Sequence, residues 1–246
     1  MGQRPVSPWK GRAVASRAAT LHGGYAGAFS APFRYLAYLT VLLAGLLLAA
    51  WVIAGFLVFK IWADGIQPLE VAIATTAAAV DGLYGIPFLR VQGVAWANGL
   101  YYALFVAPAI EQIIIADPHQ LTPFDQTVQR FFVSMLSALQ VAMLATKLYG
   151  LRLALWLSAI LPVALSYAVG MIDGLIERSI RRYSGGRESA TLYHRAKYAI
   201  AGVVGLSLFV YVCVPMTFEL QCGSWAMAAL IGVLSRLQWK YYKKYV

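Results

Sequence analysis

The residues of this chain that could do chemistry are few and far apart. Its histidines are His22, His119 and His194, and its two cysteines are Cys213 and Cys222. A metal site needs several such ligands converging on one point, and none of these histidines lies near another in the sequence. A cysteine or serine nucleophile needs a base within hydrogen-bond reach. Glu188, Ser189 and His194 fall close together in sequence, but a trio without a pocket is not a triad. No phosphate-cradling or dinucleotide-binding glycine motif occurs. The chain therefore reads as a non-enzyme with no catalytic residue, no metal and no cofactor. Cys213 and Cys222 are expected toward the outer ends of the last two apolar runs. In an oxidising compartment either a disulfide between them or two free thiols is open.

What remains is a dense basic cluster. Residues 174–197 carry Arg178, Arg181, Arg182, Arg187, Arg195 and Lys197 against Glu177 and Glu188. Helical spacing places Arg178, Arg181 and Arg182 on one face, with Glu177 four residues before Arg181. Gly185-Gly186 turns the chain, and Glu188 or Ser189 can cap the next helix. Two readings stand: an elbow that sets topology and touches lipid, or a docking surface for a cytoplasmic partner. The docking surface would comprise Arg178, Arg181, Arg182, Arg187, Glu188, His194, Arg195 and Lys197. Just upstream, Ser166, Gly170 and Gly174 place a small residue at every fourth position, the pattern that lets helices approach closely. Asp173 is expected to pair with Arg178 or its basic neighbours.

The elements that must position these residues follow from composition. Of 246 residues, 61% are hydrophobic and 12% charged, and the mean hydropathy is +0.67. A soluble domain carries about 25% charge, so this chain cannot cover a globule with a wettable surface. That excludes a water-soluble enzyme, a disordered tail and a disulfide-rich secreted module. The net charge of +10 fits membrane topology and anionic lipid, and no sequence-specific binding of nucleic acid is expected.

A membrane-crossing helix needs about 20 apolar residues. The uncharged runs 35–59, 153–172 and 198–218 qualify; 220–235 is short and spans only if Arg236 snorkels. Runs 91–110 and 131–146 are interrupted by Gly, Pro, Ser, Asn and Gln, and read either as poor spans or as amphipathic helices. The first run, with no small-residue cleavage site after it, is expected to stay as an anchor. Arg4, Lys10, Arg12, Arg17 and Arg34 put the start of the chain in the cytoplasm, and the basic cluster and the tail belong there too. Parity then allows four or six spans, and the polar residues in the two poor runs favour four.

The expected fold is thus all-α: a polytopic helical membrane protein with four transmembrane helices, six being the alternative, and a helical periplasmic segment. Its parts are a basic cytoplasmic segment (1–34), a span (35–61), a periplasmic or interfacial helical segment (62–150) with short pieces such as 69–80, a span (151–175), the basic cytoplasmic loop (176–197), a span (198–218), a short span (219–237) and a basic tail (238–246).

The stretch from Leu151-Arg152-Leu153 through Gly170, Asp173-Gly174-Leu175, Arg181-Arg182 and Gly185-Gly186-Arg187-Glu188-Ser189 to Tyr193-His194-Arg195-Ala196-Lys197 resembles the integrating conjugative element membrane protein family. The ending Lys243-Lys244-Tyr245-Val246 is similar to that family's basic, aromatic terminus. The likeness covers roughly 130–246; the family carries a histidine pair where this chain has His194-Arg195. It implies a bacterial inner-membrane component of a conjugative, type IV secretion-like apparatus, with both termini cytoplasmic. Its implied partners are membrane lipids and other conjugative-transfer membrane proteins, self-association remaining open, and it implies no catalytic residues. A small transporter or channel is the alternative, and a lipid-modifying membrane enzyme a more distant one.

Overall fold

The computed structural model describes residues 9–83, 86–116, 122–184, 190–216 and 220–242, with side chains for all of these except 9–32, 111, 190 and 220–222. These residues are helices and their connections. Helix α1 (Trp9–Phe56) runs on through a π-helical turn at Leu57–Ile61, and α2 spans Gln67–Asp81. Pro68 sits in the first turn of α2, where its missing N–H costs nothing. Helix α3 (Pro87–Tyr101) continues into a second π-helical turn at Tyr102–Val106, followed by α4 (Ile110–Ile115), α5 (Pro123–Ser134) and α6 (Leu136–Ser158). The chain ends with α7 (Ile160–Tyr183), α8 (Ala190–Cys213) and α9 (Leu220–Lys240).

The breaks have local causes. Ala109, after Pro108, takes a left-handed conformation with φ 59°, so the run 91–110 is not one continuous helix. Thr122 starts α5 by accepting the Asp125 N–H on its hydroxyl, an N-cap that satisfies an orphan donor. Pro162 cannot donate to the carbonyl four residues back and its ring crowds it, which divides α6 from α7 at Ala159.

The chain forms two compact units, Met1–Gly45 and Leu46–Val246. The first is helical from Trp9, and its resolved apolar side chains, such as Phe33, Tyr35 and Tyr38, are exposed. In the second, α6 is the central helix, burying Val141, Ala145, Leu148, Leu151, Ala154 and Leu155. Ala54 and Val58, from the end of the first apolar run, pack there with Leu69 and Ala72 of α2. The Trp51 indole donates to Thr146 Oγ1 at 2.9 Å. Helix α3 lies against α6 through small residues: a Cβ on Gly93 would come within 2.7 Å of Ala154 Cβ, and one on Gly150 within 2.5 Å of Ala97 Cα.

Three stretches among the described residues are long and apolar enough to cross a membrane: Phe33–Ile61, Leu136–Tyr183 and Thr191–Cys213. Much of their surface is open, as with Val52, Leu165, Val169 and Leu206. The second stretch has 48 residues, about 70 Å of helix, more than twice the ~30 Å hydrocarbon core; α7 alone, with 24 residues, matches that thickness. Helix α6 runs from Leu136 through Lys147, Gly150 and Arg152 to Ser158, and near the end of the first apolar run Ala54 and Val58 meet both α2 and α6.

Candidate functional site

Helices α7, α8 and α9 bring most of the sequence-flagged residues to one end. The positioning device is the seam between α7 and α9, which run parallel. A Cβ on Gly170 would overlap the Gly232 carbonyl oxygen, one on Gly174 would stand 2.5 Å from the Arg236 oxygen, and one on Gly232 would stand 2.6 Å from Ser166 Oγ. Two hydroxyls tie the backbones across this contact: Ser166 donates to the Ala228 carbonyl at 2.6 Å and buried Ser235 to the Tyr167 carbonyl at 2.8 Å. Small residues on both helices bring the chains close enough for these bonds to form.

Where the seam reaches the basic end, charges replace small residues. Arg236 Nε lies 2.9 Å from Asp173 Oδ2, its guanidinium also meets Glu177, and Lys240 Nζ is 2.6 Å from Glu177 Oε2. The spacing of four residues on both helices lines Asp173 and Glu177 up with Arg236 and Lys240. Glu177 lies beyond the uncharged run that ends at Ile172 and is bonded to both Lys240 and Arg236. Asp173 thus pairs with α9, and, as a correction to the expected snorkelling, Arg236 is held by two carboxylates across the seam instead of reaching for headgroups.

The tail of α9 folds its aromatics against the arginines. Arg181 Cζ stands 4.3 Å from the ring centre of Tyr241 and Arg178 Cζ 5.3 Å from that of Tyr242. Tyr242 also meets Trp239 and, on α8, Tyr193, which in turn touches His194 edge-on. Cation–π contacts of this kind contribute about 0.5–1 kcal/mol at exposed sites. Of the expected docking residues, Arg178 and Arg181 are thus turned to the chain's own tyrosines, while Arg182, His194, Arg195 and Lys197 are exposed. Arg187 and Glu188 lie outside the described residues, as do Gly185, Gly186, His119, the side chain of His22 and the Lys243–Val246 ending. Cys213 is a buried free thiol that donates to the Leu46 carbonyl, and the side chain of Cys222 lies outside the described residues.

One residue of the family-like stretch does more than its charge announces. Arg152, on α6, is 2% exposed, and its guanidinium donates to the carbonyls of Tyr211, at 2.9 Å, Val214 and Met216. It also lies 5.5 Å from the Tyr211 ring centre. The last carbonyls of a helix have no partner within it and carry its negative dipole end, so Arg152 closes α8 from outside. From the sequence it marks only where an uncharged run begins; its targets lie about sixty residues downstream. Elsewhere an open groove of about 600 Å³ lies between Trp62, Asp64 and Gln67 on one side and Pro215 and Met216 on the other; among the described residues Asp64 is the one charged side chain lining it.

These features define a helical protein with apolar, open helix faces and a basic, aromatic end. Residues 90–243 match the model of a family described as IncC plasmid conjugative DNA transfer protein DtrJ-like. The match covers more than half of the 246 residues, and the chain belongs to this DtrJ-like family. Comparison with curated proteins and with solved structures gave no match. The family places the chain in conjugative DNA transfer, the context that the integrating-element resemblance implies.

Proposed function

We propose that the chain is a non-enzymatic, multi-pass inner-membrane component of bacterial conjugative DNA transfer, acting through contacts with other transfer proteins and with membrane lipid. The family match over 90–243 carries the reading, and the likeness to integrating-conjugative-element and type IV secretion-associated proteins reflects the same context. Four spans are the arrangement favoured: the first apolar run, α7, α8 and α9, with both termini and the basic end cytoplasmic. The breaks at Ala109 and at Met135, between α5 and α6, support leaving 62–150 on the outer side. A cysteine at His119→Cys, in a chain with Cys213 and Cys222 replaced, is then expected to react with an impermeant maleimide from the periplasm. Reaction only after the inner membrane is opened would favour six spans.

The contact surface is the exposed side of the basic end. Guanidinium forks hold carboxylates bidentately and an ammonium does not, whereas lysine serves the positive-inside rule as well as arginine. Changing Arg182, Arg187 and Arg195 together to lysine is expected to lower conjugation frequency about tenfold, one lost charge-assisted contact's worth, with membrane abundance unchanged. Normal transfer at normal abundance would leave these arginines as topology signals only.

A further inference from the structure

Helix α5 is too short to cross a bilayer and too apolar along one edge to stand in water. Its 12 residues extend about 18 Å, against the ~30 Å of a hydrocarbon core. Gln129 turns one face to the protein, buried and donating to the Ala116 carbonyl at 2.8 Å. Phe124, Phe131 and Met135 are each more than half exposed, and at 3.6 residues per turn they fall within about 40° of arc. Thr127, Arg130 and Ser134 are exposed too, about 60–120° round the helix from that edge and on the side away from Gln129. The helix thus has one edge against protein, one apolar and one polar.

Its depth follows from what it is joined to. Helix α5 ends at Met135, the residue before α6. Tyr149 packs in one cluster with Leu46 and Ala50, and Val141 in another with Ala54 and Val58, so α6 runs antiparallel to the first apolar run. Leu136 lies five residues before Val141, about 8 Å farther out, and so stands about level with Trp62. At that height Phe59 and Ile61 are apolar and open, and the uncharged run gives way to Lys60 and Asp64. The start of α6, and α5 with it, is therefore held where the acyl chains meet the headgroups.

We propose that α5 lies along the outer surface of the inner membrane, with Phe124, Phe131 and Met135 dipped into the acyl chains. An amphipathic helix in this position buries its apolar face about 5–10 Å into the boundary. The polar edge is left to water, and the long stem of Arg130 lets its guanidinium reach the phosphates. The bilayer is the occupant because the helix is already fixed at that depth by its junction with α6. The inference rests on the four-span reading above and adds a lipid contact on the outer side.

The test uses the full chain lacking Cys213 and Cys222, with single cysteines Phe124→Cys, Arg130→Cys, Phe131→Cys and Ser134→Cys carrying a nitroxide. These side chains are exposed, so the fold does not depend on them. In vesicles of phosphatidylethanolamine and phosphatidylglycerol, collisions with oxygen report lipid and collisions with a water-soluble nickel chelate report water. Phe124→Cys and Phe131→Cys are expected about 5–10 Å below the phosphates, with an oxygen-to-nickel ratio at least about threefold above that of Arg130→Cys and Ser134→Cys. Equal nickel contact at all four positions would overturn the proposal. So would Phe124→Cys and Phe131→Cys shielded from both reagents, the mark of protein cover. A depth near the bilayer centre would overturn it as well and would favour six spans. The vesicles hold no other transfer protein, so a failure of the role in conjugation would leave these ratios unchanged.

Discussion

Replacing Arg152 by methionine is expected to lower the thermal midpoint of the detergent-extracted protein by about 10 °C. Methionine keeps the apolar stem of the arginine and removes its guanidinium, so the change acts chiefly on the donors. Carbonyls of Tyr211, Val214 and Met216 would lose a charged partner at a buried position. Hydrogen bonds to charged groups contribute about 1.5–3 kcal/mol each, and an orphaned buried carbonyl costs about 1–3 kcal/mol. Losing three together, with some relaxation of the chain, gives a loss of about 3–5 kcal/mol. A chain of this size shifts by about 2–4 °C per kcal/mol. Arg152→Lys should fall between the two, since an ammonium keeps the charge but not the fork. The check is the temperature at which half the protein still elutes as a single species; an unchanged midpoint for Arg152→Met would refute the closing of α8 by this side chain.

The second large effect is at Gly170, and its sign against another glycine is what makes it informative. An alanine gains about 1 kcal/mol of helix propensity over glycine anywhere in a helix. At Gly202 on α8 a Cβ meets nothing within 4 Å, so Gly202→Ala should stabilise by about that amount. At Gly170 the same methyl overlaps the Gly232 carbonyl, a backbone atom that yields only if α7 and α9 part. Overpacking of this kind costs about 1–3 kcal/mol, and Gly170→Leu more. Parting the helices would also stretch the Ser166 and Ser235 hydroxyl bonds and the Arg236–Asp173 pair. The same thermal assay should therefore rank Gly202→Ala above the natural chain, Gly170→Ala below it and Gly170→Leu lowest. Equal behaviour of the two alanine variants would contradict the close seam.

Much of this was legible in the residues because it depends on local rules. Charge-free runs, the Pro and Gly breaks and the spacing of Ser166, Gly170 and Gly174 follow from periodicity, and the described residues are helical as those rules expect, although the expected span 151–175 is divided at Ala159. The partners of the charges were not legible, because they depend on which helix lies beside which. Arg236 looked like a short span's loose end until Asp173 and Glu177 stood opposite it, and Arg178 and Arg181 looked free until Tyr241 and Tyr242 came back over them. Residues 131–146 looked like a poor span because of Ser134, Ser137 and Gln140, which are exposed, whereas α6 buries Val141, Ala145 and Thr146 further along. There Thr146 accepts from Trp51, and Arg152, further along, meets carbonyls of the chain and not lipid.

The most direct test of the central claim is the conjugation frequency of donor cells in which this chain's reading frame is deleted without disturbing its neighbours. A membrane component that works by contact with the transfer apparatus predicts a fall of at least about tenfold, one lost contact's worth in occupancy, restored by the natural chain supplied from a second locus. Transfer at the undiminished frequency without the chain would contradict it.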